Sequence, residues 1–149
     1  MTQEHKELLL KHLCARLPYG VKFMCNKNIY TTKGLDLIVA DEGDWEYAVT
    51  AKDTAPIEID FIKPYLFPLS SMTDEQAKEI QQIIGNPDYA CIIRKTDGLE
   101  LWLNFIDTDP TIWLDAIFEV QDYLNKNYFD YRNLINKNLA IDCTNLNIY

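Results

Sequence analysis

Glycine and histidine are scarce in this chain, and their scarcity excludes several chemistries at the outset. Five glycines in 149 residues leave little for a phosphate-cradling loop, and neither G-x-G-x-x-G nor G-x-x-x-x-G-K-[ST] occurs. G-x-S-x-G and H-E-x-x-H are missing as well. The two histidines, His5 and His12, stand two helical turns apart. A zinc site would need two further ligands, and none lies nearby, so both are expected at a helix margin or at the surface. The four cysteines, Cys14, Cys25, Cys91 and Cys143, form no C-x-x-C pair. They read as free thiols of a reducing compartment, with Cys25 and Cys91 as small buried hydrophobes. No metal or cofactor is expected. No apolar run approaches the roughly 20 residues that span a bilayer. The polar start Met1–Lys6, followed only by Leu8-Leu9-Leu10, does not resemble a secretory leader. The expectation is a cytoplasmic protein with no membrane contact.

Positive charge is also in short supply. Fourteen Lys and Arg face 23 Asp and Glu, for a net charge of −9. A nucleic-acid reader carries a basic patch to neutralise phosphates, so direct nucleic-acid binding is disfavoured. An anionic membrane surface is disfavoured on the same ground. The excess is localised: between Leu35 and Asp60 stand eight carboxylates and one base, Lys52, a net −7. A solvated set of loops and strand faces accounts for such a window; a surface that docks on a basic partner is the sharper alternative. Asp41-Glu42-Gly43-Asp44 lacks the alternating oxygen ligands and terminal glutamate of an EF-hand loop.

What is present suits a globular core. Hydrophobic residues make up 48% and charged residues 25%, which disfavours disorder. The length fits one domain, and no repeat or linker divides it. Residues 3–16 read as a helix whose apolar side is Leu9, Leu10, Leu13, Cys14 and Leu17, stopped by Pro18. Short extended runs follow at 21–25, 29–32, 35–40 and 45–51, with turns expected at 26–28, at Lys33-Gly34 and at 41–44. Ile57, Ile59 and Phe61 alternate with Glu58 and Asp60, as in a half-buried strand. Pro64 and Pro68 make 63–69 look like an extended connector outside any regular ladder. Thr73 and Gln76 spell a capping box for a helix with Ala77, Ile80, Ile83 and Ile84 on its apolar side, ended by Gly85-Asn86-Pro87. Residues 89–94 and 99–105 read as a hairpin across Asp97-Gly98. A long helix over 111–126 has Asp109 as cap, Pro110 at its first position and Trp113, Ile117, Val120 and Leu124 as its stripe. Asp130 is expected to cap a short helical turn, Leu139–Ile141 to add an edge strand or coil, and the tail after about residue 142 to fray. The class is α+β: an antiparallel meander and hairpins packed against about three helices in a single compact domain, residues 1–149.

Carboxylate pairs and aromatics complete the search. Asp107 with Asp109, and Glu58 with Asp60 on one strand face, have spacings that acid/base chemistry could use. Capping and a wet strand face explain them more simply, and no catalytic residue is assigned. Eighteen aromatic residues fit core packing, or an exposed anchor patch to which Tyr65 and Phe67 would belong.

Three stretches are specific in wording: Leu13-Cys14-Ala15-Arg16-Leu17-Pro18-Tyr19-Gly20-Val21-Lys22; Ile62-Lys63-Pro64-Tyr65-Leu66-Phe67-Pro68-Leu69-Ser70-Ser71-Met72-Thr73; and Phe129-Asp130-Tyr131-Arg132-Asn133-Leu134-Ile135 with Leu139-Ala140 behind it. In this order, across almost the whole chain, they resemble a family of small uncharacterised proteins from gut anaerobic bacteria and their bacteriophages and prophages. The resemblance implies a mobile-element setting and carries over no functional residue. The expected function is therefore that of an accessory protein binding a protein partner through an acidic or aromatic surface, with Asp41, Glu42, Asp44, Glu46, Tyr65 and Phe67 as its candidate residues. A small enzyme with a carboxylate or thiol site, and a structural homo-oligomer, are the alternatives.

Overall fold

The computed structural model describes residues 1–39, 45–85, 90–95, 98–103 and 110–149, with the backbone alone at 45, 90–95, 98–103 and 110–113. The class is α+β, with three α-helices among the described residues and strands that pair mostly antiparallel. Contacts group the chain into two compact units: Met1–Leu66 with Arg132–Tyr149, and Phe67–Tyr131.

The first unit opens with helix α1, Gln3–Arg16, capped where the Thr2 hydroxyl accepts from the His5 N–H. Pro18 then tightens the chain into a 3-10 turn, and Gly20 at φ 65° reverses it in a conformation that costs glycine little. Strands β1 (Lys22–Cys25) and β2 (Asn28–Val39) form a hairpin across Asn26 and Lys27, both at positive φ, as a two-residue reversal requires. β2 does not turn at Lys33-Gly34. It runs through with a register shift between Thr32 and Gly34, opposite strand β3 (Trp45–Ala51). Glycine serves close approach here: a Cβ at Gly34 would stand 2.8 Å from Thr50 Oγ1.

The alternation after Pro56 is also cut short. β4 is only Ile57–Glu58, paired with β3, and Ile59–Phe61 wind into a 3-10 turn. Ile59 is buried while Phe61 is 63% exposed, so the two do not share a strand face. The proline-flanked run 63–68, expected outside any ladder, is strand β5 (Lys63–Pro68). Proline removes only its own donor. The Leu66 carbonyl still accepts from the Cys143 N–H at 2.9 Å, and Pro64 and Lys63 stand opposite Phe23 and Met24 of β1.

The C-terminal residues return to this first unit. Asn133 and Asn138, both at positive φ, bracket a turn closed by Leu139 N–H to Leu134 C=O at 2.9 Å. The expected helical turn at 130–135 does not form. The tail expected to fray is held: Cys143 is fully buried, and Tyr149 Oη donates to the Tyr65 carbonyl at 3.0 Å and accepts from the Lys22 N–H at 3.0 Å. Lys22 Nζ also donates to the Ile148 carbonyl.

The second unit begins at Phe67. Thr73 caps helix α2 (Asp74–Ile84) with both bonds of the capping box, Gln76 N–H to Thr73 Oγ1 at 3.3 Å and Thr73 N–H to Gln76 Oε1 at 2.9 Å. Gly85, at φ 84°, donates to the Gln81 carbonyl. Strands β6 (Ala90–Lys95) and β7 (Gly98–Leu103) pair antiparallel with Lys95 opposite Gly98. Helix α3 starts at Pro110 and ends at Lys126. Its expected cap Asp109 and the Trp113 side chain lie outside what is described. Ile117, Val120 and Leu124 are half-buried, and Asp115, Glu119, Asp122 and Lys126 are exposed, as its two-faced pattern requires. β8 (Phe129–Asp130) pairs in parallel with Phe67 and Pro68. Met72, Ile80 and Phe129 form the buried centre of this unit, with Phe67, Ala77, Val120 and Leu124 against it. The last strand, β9 (Ile141–Asp142), belongs to the first unit and runs parallel to Tyr65 and Leu66.

Candidate functional site

The hairpin of β2 and β3 carries five of the eight carboxylates of the acidic window, Asp36, Asp41, Glu42, Asp44 and Glu46. Leu35, Leu37 and Val39 stand opposite Val49, Tyr47 and Trp45 respectively, so they line one face of the ribbon. Val49 is buried, but further along this face Leu37, Val39 and Tyr47 are 50%, 58% and 44% exposed. Asp36 and Ile38 point to the opposite face, paired with Ala48 and Glu46. The ribbon thus joins an exposed apolar row to a reverse side on which Asp36 and Glu46 stand with Ile38 and the buried Ala48. Asp41, Glu42 and Asp44 lie outside the described residues.

Glu46 is not a free carboxylate on that reverse side. Lys6 Nζ of α1 sits 3.4 Å from Glu46 Oε1 and 2.7 Å from Asp60 Oδ2, and the Met1 amino group lies 3.8 Å from Asp60 Oδ1. The hydrogen bond to Asp60 and the two carboxylate charges raise the Lys6 pKa against the opposing effect of burial. A recess of about 100 Å³ beside this cluster is lined by Gln3, Lys6, Glu7, Glu46, Tyr47 and Ile59. Glu58 and Asp60 do not form the pair expected on one strand face, because the 3-10 turn after Glu58 carries Asp60 to Lys6.

The aromatic half of the expected surface is largely withdrawn from solvent, with Tyr65 buried and Phe67 half-buried. Tyr65 is 6% exposed, and the Phe67 ring packs against Phe129 at 6.3 Å. Neither offers an anchor to a partner. The exposed large apolar residues include Leu37, Val39, Tyr47 and Phe61 on the first unit and Leu114 and Phe118 on the second. Strand alternation places Leu37 and Val39 on one face from sequence alone, but only the pairing register adds Tyr47 to them.

A second constellation escaped the hydropathy pattern. The fully buried positions of α1 are Leu9, His12, Leu13 and Arg16, the i, i+3, i+4, i+7 set. Cys14, expected on the apolar side, is exposed. Arg16 Nε donates to His12 Nε2 at 2.6 Å, which requires His12 to be neutral with its proton on Nδ1. Burial, then the charges of Arg16 and Arg132, push the His12 pKa down to about 2. His12 is therefore a core group, not the surface histidine its polarity suggested. The pair is poised for structure: a base this weak takes no proton near neutral pH.

The thiols divide similarly. Cys25 and Cys143 are buried, and burial, helped by the charge of Asp142, pushes the Cys143 thiol up to about 11. A thiol with so little thiolate is a poor nucleophile. The Cys91 side chain and the pair Asp107 and Asp109 lie outside the described residues. Among the described residues no three His, Cys, Asp or Glu side chains are grouped to hold a metal ion, and no helix is long and apolar enough to cross a membrane.

No family model, no curated protein and no solved structure matches this chain.

Proposed function

We propose that the chain is an accessory protein of bacteriophage or prophage type that acts by binding another protein through the β2–β3 ribbon. The observation that carries this reading is the exposed row Leu37, Val39 and Tyr47 on the hairpin that holds five of the window's eight carboxylates. An apolar strip supplies the area that excludes water, and surrounding carboxylates select for a basic partner and speed its approach. The free thiols of Cys14, Cys25 and Cys143 favour a cytoplasmic setting for that encounter.

The test is capture of protein partners from host lysate by tagged chain, with and without nuclease, at low and moderate salt. A nuclease-resistant, salt-sensitive protein partner is the expected result. Replacing Asp41, Glu42, Asp44 and Glu46 together by their amides should abolish its capture. If capture survives that replacement unchanged, the acidic surface is not what binds.

A further inference from the structure

The ribbon runs past the end of β1, and this leaves a long backbone edge. β1 covers β2 from Asn28 to Thr31, and Thr32 N–H still donates to the Val21 carbonyl at 2.9 Å. From Lys33 to Val39, β2 pairs with β3 on one side, and among the described residues no strand pairs with its other side. The Leu37 N–H is bound at 2.8 Å by the carboxylate of its own neighbour Asp36. A donor held by a side chain is one the β2–β3 ladder does not use, so it faces the open edge. Alternation puts the N–H and C=O groups of Leu35 and Val39 on the same edge. The edge of β3 is shorter, since β4 already covers Ala48 and Val49.

We propose that this edge of β2 takes an extended, lysine- or arginine-bearing segment of the partner protein as an added strand. The inference rests on the protein-binding reading above and names the form of the ligand. Backbone bonds to Leu35, Leu37 and Val39 set the register of the incoming strand, displacing the Asp36 carboxylate from the Leu37 N–H. Side chains on one of its faces extend the Leu37–Val39–Tyr47 row and are apolar. Those on the other face lie beside Asp36 and are cationic. The ligand pattern is therefore alternating apolar and basic. A second copy of the chain is the disfavoured occupant, because edge-to-edge pairing would bring two acidic hairpins together, each with five carboxylates of the window. The Asp36 bond also guards the edge against self-pairing.

The experiment uses the full chain and a labelled peptide of about ten residues alternating lysine and valine, the length of an ordinary strand. Its comparators are a glutamate-for-lysine version and a block-ordered version of the same composition. By fluorescence anisotropy the alternating basic peptide should bind at least about tenfold tighter than either comparator, and several-fold more weakly when salt rises from about 50 to about 200 mM. Amide hydrogen exchange at Leu35, Leu37 and Val39 should slow on binding. Leu37→Lys, at an exposed position that leaves the ladder intact, should weaken binding about tenfold by placing a cation on the edge. Equal affinity for all three peptides, or protection falling elsewhere, overturns strand addition. So does self-association through this edge, read by sedimentation. If Leu37→Lys still captures the lysate partner that the amide-substituted chain loses, strand addition fails while protein binding stands. If the unaltered chain captures nothing, protein binding itself fails.

Discussion

Helices α1 and α2 each bury residues in the core of one unit, yet they are anchored by opposite means. α2 buries Ile80 beneath Met72 and Phe129, and its entry is closed by a reciprocal capping box. Among the described residues what holds it is mostly local or apolar, with one hydrogen bond from the Tyr123 hydroxyl of α3 to Glu79 at 2.8 Å beside it. α1 inserts Leu9 and Leu13 but also His12 and Arg16, all fully buried. A guanidinium out of water costs several kcal/mol unless its donors are bound, so α1 tolerates few alternative seatings, while α2 slides at the cost of packing and one exposed hydrogen bond. The comparison separates a helix defined by shape from one defined by hydrogen-bond geometry.

Truncation at the two centres tests that separation most forcefully. Arg16→Ala should destabilise the chain by about 3–5 kcal/mol in urea unfolding, the scale of other large core truncations, with the abandoned His12 acceptor contributing to it. Ile80→Ala should cost about 2–5 kcal/mol by cavity alone. The sharper contrast lies in rescue. Leucine or methionine of similar bulk at Ile80 should cost less than about 1.5 kcal/mol. Arg16→Met keeps the bulk but orphans His12 Nε2, and should recover stability only when His12→Leu accompanies it, with a coupling of about 1–3 kcal/mol in the double-mutant cycle. An uncoupled pair would mean that α1, too, is held by shape.

Acid should find the same difference without a mutation. His12 has an ordinary value of 6.5 and a folded value of about 2. Between those values the unfolded chain binds a proton that the folded chain refuses, so stability is complete above pH 6.5 and declines as pH falls below it. The slope is about 1.4 kcal/mol per unit, or about 2 kcal/mol by pH 5. Other titrating groups are shared with a His12→Gln variant, so the difference between the two pH profiles isolates the histidine. A His12→Gln profile parallel to that of the unaltered chain from pH 7.5 to pH 5 would show that His12 is solvated when folded.

The contrast also explains which parts of the fold were legible in the residues. α2 and the start of α3 were, because a capping box, an acidic first turn and a proline at the first helical position act within a few residues. The extent of α1 was legible but its buried face was not, since hydropathy assigns His12 and Arg16 to water and only their spacing from Leu9 and Leu13 says otherwise. Gly34 and Pro64 looked like breaks because each weakens a strand locally. Each is tolerated by a neighbour distant in sequence: Thr50 approaches Gly34, and Phe23 pairs with Pro64. The parallel partners of β5 come from residues 129–130 and 141–142, and no local pattern encodes a pairing over that separation. Of the candidate surface, the charge was legible at once. The aromatic members were misplaced because those same distant pairings bury Tyr65 and half-bury Phe67. The exposed row needed the β2–β3 register before Tyr47 could be set beside Leu37.

The smallest effect concerns the cap of α2. Thr73→Ala removes the oxygen that accepts from Gln76 N–H and leaves that donor to water, because the site is exposed. The expected loss is about 0.5–2 kcal/mol, while Thr73→Asp or Thr73→Ser should lose little, since each keeps an oxygen at that distance. The matching change in α1 is Thr2→Ala, where the bond to His5 N–H is of the same length, 3.3 Å. If α1 is positioned by its buried polar pair, Thr2→Ala should cost no more than Thr73→Ala and leave exchange at the buried Leu13 unchanged. A larger cost at Thr2, with faster exchange at Leu13, would mean that α1 depends on its first turn as much as α2 does, and the distinction between the two helices would not hold.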